Sequence, residues 1–444
     1  MSLYTWVHFQ FNVLISPQSK NMLQVQALKQ DIAGVKERLA IKQFKQPELV
    51  DKVIALDEER KKIQFETDSI LAQINAASKQ IGQLMAQGNK AAAEEAKQLV
   101  TNHKAGLGNL QEQLTMVEKQ LHDMLVQLPN LPGTLVPAGK TPADNEVVKE
   151  VAATTGLPAN ALAHWDLAKK YNLIDFELGN KVTGSGFPFY IGKGAKLQRA
   201  MIQYFLDFNT AAGYTEYLPP FMVNEDSAYG TGQLPDKEGQ MYHATADNFY
   251  LIPTAEVPVT NVYRDTVLKE TDLPVKMTAY SPCFRREAGS YGKDVRGLNR
   301  LHQFEKVEII QLVKPEDSYK VLDEMVAHVE QLVKSLELPY RILRLCGGDM
   351  SFASALTYDF EVFSAAQERW LEVSSVSNFE SFQTNRLKCR FKDGNGKTQL
   401  PHSLNGSSLA LPRIYAALIE NHQTENGIRI PKVLQTYFGA EEIS

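Results

Sequence analysis

Between residues 49 and 84 the chain carries apolar side chains at a spacing that few folds accommodate. One heptad position reads Leu49, Leu56, Ile63, Ile70, Ala77, Leu84 and the other reads Val53, Arg60, Thr67, Ile74, Ile81, so nine of eleven seam positions are apolar. After Gly88-Asn89 the seam resumes as Ala93, Ala96, Val100, His103, Leu107, Leu110, Leu114, Val117, Leu121, Met124 and Leu128, interrupted only by His103. A sustained heptad repeat needs a partner helix along its length. Two such segments joined by a short Gly-Asn turn provide that partner within the chain, which predicts an antiparallel coiled-coil hairpin. At 1.5 Å per residue each helix is roughly 55 Å long, so the arm must project beyond any globular body. Its outer faces carry Lys61, Lys62, Lys79, Lys90, Lys97 and Lys104 among many carboxylates. By charge alone they read as a solvated helix surface with a weak hint of phosphate contact. A dimerisation or spacer coiled coil is the plain alternative.

The stretch that follows contains Pro129, Pro132, Pro137 and Pro142, which end the coiled coil and mark a boundary across residues 129–145. A chain of 444 residues leaves ample length beyond it for a large core. The formal net charge is −5, so any nucleic-acid partner must be met by local patches and not by a global basic field. Three widely spaced cysteines, Cys283, Cys346 and Cys389, form neither a disulfide framework nor a CxxC-type zinc site, so no zinc is expected and a reducing cytoplasm fits. No apolar run reaches membrane-spanning length. Residues 1–21 lack a basic start and a small-residue cleavage site, and they read as an extension with no part in catalysis.

From residue 146 onward, strand and helix patterns mix without a regular βαβ rhythm, which predicts an antiparallel α+β domain. There is no GxxxxGK[ST] phosphate loop and no dinucleotide fingerprint. Residues 278–310, TAYSPCFRREAGSYGKDVRGLNRLHQFEKVEII, read as strand, charged loop, strand. Alternation groups Ala279, Ser281, Cys283 and Arg285 on one face of the first strand, and His302, Phe304, Lys306 and Glu308 on one face of the second. The loop between them carries Arg286, Glu287, Lys293, Asp294, Arg296 and Arg300. An arginine fixed on a sheet beside an aromatic ring suits a nucleotide with its phosphates. Seen alone, a surface hairpin laced with weak ion pairs is the better reading.

Residues 248–259, NFYLIPTAEVPV, read as a strand whose alternation puts Thr254 and Glu256 on one face, a pair able to hold an ammonium group. Residues 316–336 predict an amphipathic helix over the sheet, with His328 a packing or surface histidine. In WLEVSSVSNF, residues 370–379, alternation pairs Glu372 with Ser374; for Glu372 and Ser375 to meet one ion the strand must bulge or end there. Finally HSLNGSS, residues 402–408, leads into a helix bearing Arg413, a geometry that suits a phosphate.

F-R-x-E followed by a charged loop and H-Q-F-x-K-V-E resembles motif 2 of class II aminoacyl-tRNA synthetases, in the form found in the seryl-tRNA synthetase family. The rest of the chain agrees with that resemblance in order. MLQVQALKQ from Met22 resembles the start of the bacterial members, and His164-Trp165-Asp166 the approach to their core. The helix over residues 196–212 with Tyr217-Leu218-Pro219-Pro220-Phe221 resembles motif 1, T-A-E-V-P-x-T-N the serine-binding strand, and residues 402–420 motif 3. Ser351, Ser408 and Pro412 depart from the family's usual glycines.

The resemblance implies an extension at 1–21, a tRNA-binding arm at 22–128, a linker at 129–145 and a catalytic domain at 146–444. It implies activation of L-serine by ATP to seryl-adenylate and transfer to the 3′ end of serine tRNA, with selenocysteine tRNA as a further acceptor left open. It also implies a cytoplasmic homodimer through motif 1 and Mg2+ arriving with ATP. Carried over residue by residue, Arg285 and Arg413 are catalytic; Thr254, Glu256, Arg285, Glu308 and Ser407 bind serine. Arg285, Arg286, Glu287, Phe304, Glu372, Val373, Ser374, Ser375 and Arg413 bind ATP, with Glu372 and Ser375 on magnesium. Phe304 would stack on adenine and Glu287 would meet its amino group. Two rivals stay open: a paralogue that loads a carrier protein, and a non-catalytic protein built on a decayed synthetase body.

Overall fold

The computed structural model describes residues 25–152, 161–236, 239–287 and 296–444; the 1–21 extension and the loop residues Lys293 and Asp294 lie outside them. The N-terminal part is helical throughout. Short helices α1 (Val25–Gln30) and α2 (Ile32–Ile41) precede the long pair α3 (Leu49–Ala86) and α4 (Lys90–Leu125). Gly88 turns the chain at φ 75°, and the Asn89 side chain accepts the Ala92 N–H to start α4. Every residue of the predicted seam is buried or half-buried, His103 included, while almost everything between is exposed. The period thus sets which stripe is dry along the whole antiparallel pair.

At the root of the arm, Leu28, Val35, Leu39, Val50, Val53, Leu121 and Leu128 form a cluster of their own, separate from the main core. Asp57 is buried there and paired with Lys29, Arg60 and Lys61, which hold its carboxyl down to about 2 despite burial. The root is fastened to the rest of the molecule by Lys42. Its ammonium donates to the carbonyl oxygens of Ser351 and Ser354, each at 2.7 Å, and of Phe352 at 3.2 Å. Asn130, just past the arm, donates to the Ala353 and Phe379 carbonyls at 2.9 and 2.8 Å. Buried carbonyls of an irregular segment are satisfied in this way by side chains from the arm side.

The remainder is built on an eight-stranded sheet. In chain order its strands are β1 (Glu146–Val151), β2 (Thr215–Tyr217), β3 (Val275–Phe284), β4 (Gln303–Val313), β5 (Tyr340–Arg344), β6 (Leu356–Ser364), β7 (Arg369–Glu380) and β8 (His402–Ala410). Their spatial order is β1-β5-β6-β7-β8-β4-β3-β2. All neighbours are antiparallel except β2 and β3, so the predicted antiparallel α+β architecture holds with one parallel edge.

Helices α5 (His164–Lys170), α6 (Lys193–Ala211), α7 (Glu225–Thr231), α8 (Glu256–Thr260), α9 (Ser318–Ser335) and α10 (Leu411–Asn421) surround the sheet. One sheet face, through Val307, Ile309, Val376, Leu404 and Phe360, packs with Met201, Phe205, Met325, Val329, Ile414 and Leu418 of the covering helices into the main core. His328 on α9 is a packing histidine, tilted against Phe208 and Tyr214 and bonded to Asn209, and burial pushes it down to about 4. The opposite face of the sheet is left for the site.

One expectation is overturned. Residues 248–259 are not a single strand: pairing covers only Phe249–Leu251, and α8 begins at Glu256. Pro253 has no N–H to continue a ladder, and Pro258 falls in the first helical turn, where none is needed.

Candidate active site

The free sheet face floors a cavity of about 870 Å3, walled by residues 231–236 on one side and 348–353 on another. Such a volume accommodates a nucleotide together with a small acid. Thr254, Glu256, Arg285, Glu287, Phe304, Glu308, Glu372, Val373, Ser374, Ser375, Ser407 and Arg413 all line it. Arg286 does not; it is exposed, with its backbone N–H bonded to the Gln240 carbonyl.

Strand register explains the grouping. Phe304 faces Cys283 and Glu308 faces Ala279 across β4 and β3, while Ser407 of β8 faces Glu308 from the other side. Arg285 follows β3 directly, and its guanidinium sits over the Phe304 ring, 5.2 Å from the centroid. Thr254 and Glu256 reach the cavity through the start of α8, not through strand alternation. The Thr254 hydroxyl accepts the Glu256 N–H and donates to Glu308 Oε2, each at 3.2 Å.

That end of the cavity is acidic and buried. Glu256 is paired with the Gln383 amide, and Gln383 is in turn oriented by the Ser403 hydroxyl at 2.7 Å. Burial, with the Glu308 charge added, pushes Glu256 up to about 7. Glu308 itself forms an ion pair with the buried Lys306. Asn405 lines the same end, with its side-chain amide close enough to Glu256 to favour the ionised carboxylate. Sequence reasoning missed Gln383 and Asn405. Asn405 lies two positions before Ser407 on β8, so strand alternation could have found it.

The other end holds the charged groups suited to phosphates. Arg413 leaves the first turn of α10, with Nη1 donating to the Glu372 carbonyl at 2.8 Å and Nε to the Asn299 carbonyl at 3.2 Å. Its guanidinium lies 3.6 Å from the Glu372 carboxylate. Glu287 is held by Arg300 at 3.2 Å. The pairing of β6 with β7 slips between Phe360–Ser374 and Glu361–Glu372, so Val373 is the extra residue of a bulge. Val373 points into the core, while Glu372 and Ser375 both open to the cavity.

Beneath them Asp359 is paired in register with Ser375, is buried, and has one carboxylate oxygen without a partner among the described residues. Burial and then the Glu372 charge hold its carboxyl well above the usual range. Carboxylate and hydroxyl oxygens at one cavity wall, with an acceptor to spare, fit a hard divalent cation such as Mg2+. Among the described residues no group of three or more His, Cys, Asp or Glu is arranged to hold a metal by itself.

Residues 22–132 match the family model described as the seryl-tRNA synthetase N-terminal domain. Residues 241–422 match the tRNA synthetase class II core domain (G, H, P, S and T). The chain is 48% identical over 424 residues to the serine--tRNA ligase of Salinibacter ruber, covering 95% of this chain and 99% of that one. It is 46% identical to the serine--tRNA ligase of Neisseria meningitidis serogroup C, covering 94% and 98%. Among solved structures, the seryl-tRNA synthetase of Pyrococcus horikoshii complexed with ATP superposes with a TM-score of 0.87 at 31% identity, covering 95% of this chain and 99% of that one.

Proposed function

The chain belongs to the seryl-tRNA synthetase family of class II aminoacyl-tRNA synthetases, and on that premise we propose how its residues carry the family's reaction. It is a serine--tRNA ligase. Serine and ATP give seryl-adenylate and pyrophosphate; the seryl group then passes to a ribose hydroxyl at the 3′ end of serine tRNA and AMP leaves.

The observation that carries the assignment of residues is one cavity with two chemically distinct ends. At the acidic end, Thr254 and Glu256 hold the serine ammonium. Glu308 and Ser407, neighbours across a strand pair, read the hydroxyl. Glu308 keeps Lys306 and Thr254 as partners whichever amino acid binds, so the discrimination rests on the hydrogen bonds of the serine hydroxyl that alanine cannot make.

At the other end, Phe304 offers its ring to adenine, Glu287 meets the adenine amino group, and Arg413 holds the terminal phosphate. Arg285, beside Phe304, bridges the serine carboxylate and the α-phosphate in this reading. No side-chain nucleophile is required, because the serine carboxylate itself attacks phosphorus and pyrophosphate departs. The protein's part is positioning and charge stabilisation. Glu372 and Ser375 would hold Mg2+, which offsets negative charge on the phosphates. Arg286 carries no assignment to the cavity in this reading; from its exposed position it is available only to a part of the ligand that extends outside.

The coiled-coil arm, placed at residues 22–128 ahead of the 129–145 linker and the 146–444 catalytic domain, grips the tRNA. Leu218, Phe221 and Met222 are exposed in and next to the motif 1 segment and support a homodimer through it. Among the described residues no helix is long and apolar enough to cross a membrane. The test is charging of a serine tRNA transcript with labelled serine. A carrier protein loaded in place of tRNA would overturn the reading.

A further inference from the structure

Behind the nucleotide end of the cavity lies a buried acid–imidazole pair that the chemistry above does not use. His164 opens α5 and Glu420 lies on α10, and both side chains are fully buried. His164 Nδ1 is 2.8 Å from Glu420 Oε1, and that oxygen also accepts the His164 backbone N–H at 2.9 Å. The other Glu420 oxygen accepts the Ser364 hydroxyl. An ionised carboxylate only accepts, so Nδ1 carries the imidazole proton and Nε2 is left as an acceptor. The Leu298 backbone N–H donates to it at 2.9 Å.

Leu298 begins the turn 298–301, every residue of which lines the cavity. Its next residue, Asn299, accepts Arg413 Nε through its carbonyl and donates through its side chain to Gln367 Oε1 at 2.9 Å. Gln367 donates onward to Ser364 Oγ at 2.9 Å, which closes the ring at Glu420. Gly297 passes so near the imidazole that a Cβ there would fall 2.2 Å from His164 Nε2. A closed network with a single imidazole tautomer therefore touches one cavity wall and one phosphate-binding arginine.

We propose that His164, oriented by Glu420, is a positioning residue that fixes the turn 298–301 and, through Asn299, the Arg413 guanidinium for the nucleotide. The inference rests on the reading of the cavity given above. A pair that merely stabilised the fold would affect both substrates alike; this one acts only at the nucleotide end.

Amide substitutions separate the two roles. His164→Asn keeps a donor near the Nδ1 position for Glu420 but leaves the Leu298 N–H without its acceptor. His164→Gln does the reverse, carrying an amide oxygen toward the Nε2 position. Each loses one bond of the pair, so thermal stability should fall by similar amounts. In serine-dependent ATP–pyrophosphate exchange, His164→Asn is expected to raise the ATP KM by about tenfold, with serine KM within about twofold and His164→Gln within about threefold of wild type on ATP. Gly297→Ala, which crowds the same contact, should reproduce the ATP-selective rise and decides the matter if His164→Asn does not fold. Equal ATP KM changes in the Asn and Gln variants, or a parallel rise in serine and ATP KM, would overturn the proposal. A wild-type protein without serine-dependent exchange would instead overturn the function on which it rests.

Discussion

Glu372 and Ser375 both face the cavity although strand alternation would send them to opposite sides, because Val373, between them on β7, is an extra residue without a partner on β6. The bulge turns a carboxylate and a hydroxyl toward the same wall, next to Arg413. If this wall receives Mg2+ with ATP, Glu372→Ala should raise the magnesium concentration for half-maximal exchange by about tenfold or more, with Ser375→Ala smaller in the same direction. A magnesium titration at fixed ATP reads this directly. Unchanged midpoints in both variants would remove the pair from the metal.

Glu256 supplies a pH dependence. Burial and the Glu308 charge raise it from 4.5 to about 7 in the folded chain. The folded state therefore holds a proton that the unfolded chain has released. That contribution to stability is complete below pH 4.5 and is lost as pH rises through about 7. Binding runs the other way under the proposed assignment, in which only the ionised carboxylate holds the serine ammonium. Serine KM should fall about tenfold per pH unit as pH rises toward neutrality, then level off. Glu308→Gln removes the neighbouring charge and should move the break to lower pH. A serine KM that is flat across this range would contradict the assignment.

The root cluster sets where the arm can be cut. Removing residues 49–128 would take away Leu49, Val50, Val53, Leu121 and Leu128, which pack with α1 and α2. Replacing only residues 64–112 with a short turn leaves that cluster and the Lys42 attachment in place. Serine-dependent exchange should then stay within about twofold of wild type, while tRNA charging falls by about two orders of magnitude. Charging that survived the shortening would show that the arm is a spacer.

Ser407→Ala removes one of the groups assigned to the serine hydroxyl. The serine KM should rise about fivefold, with no exchange gained from alanine. Measuring exchange with each amino acid checks it.

Much of this was legible because local period and burial coincide. The arm was readable residue by residue since its seam repeats over many turns, and β3 and β4 alternate over long stretches. The strand expected over 248–259 failed because short alternation around two prolines is equally compatible with a helix start. The bulge was legible only as a requirement: Glu372 and Ser375 could not share an ion without it. Contacts between distant segments left no local pattern at all. His164 and Glu420 are 256 residues apart, Glu256 and Gln383 127, and Lys42 and Ser351 309. Glu256 and His164 stood in recognisable motifs, yet nothing near any of these residues in the sequence pointed to its partner.

The central claim is that one cavity joins serine to ATP, and amino-acid-dependent ATP–pyrophosphate exchange without tRNA tests it most directly. With magnesium present and each amino acid supplied in turn, serine alone should support exchange, and Arg285→Ala should abolish it. Exchange driven by another small amino acid, or by none from a folded protein, would contradict the account.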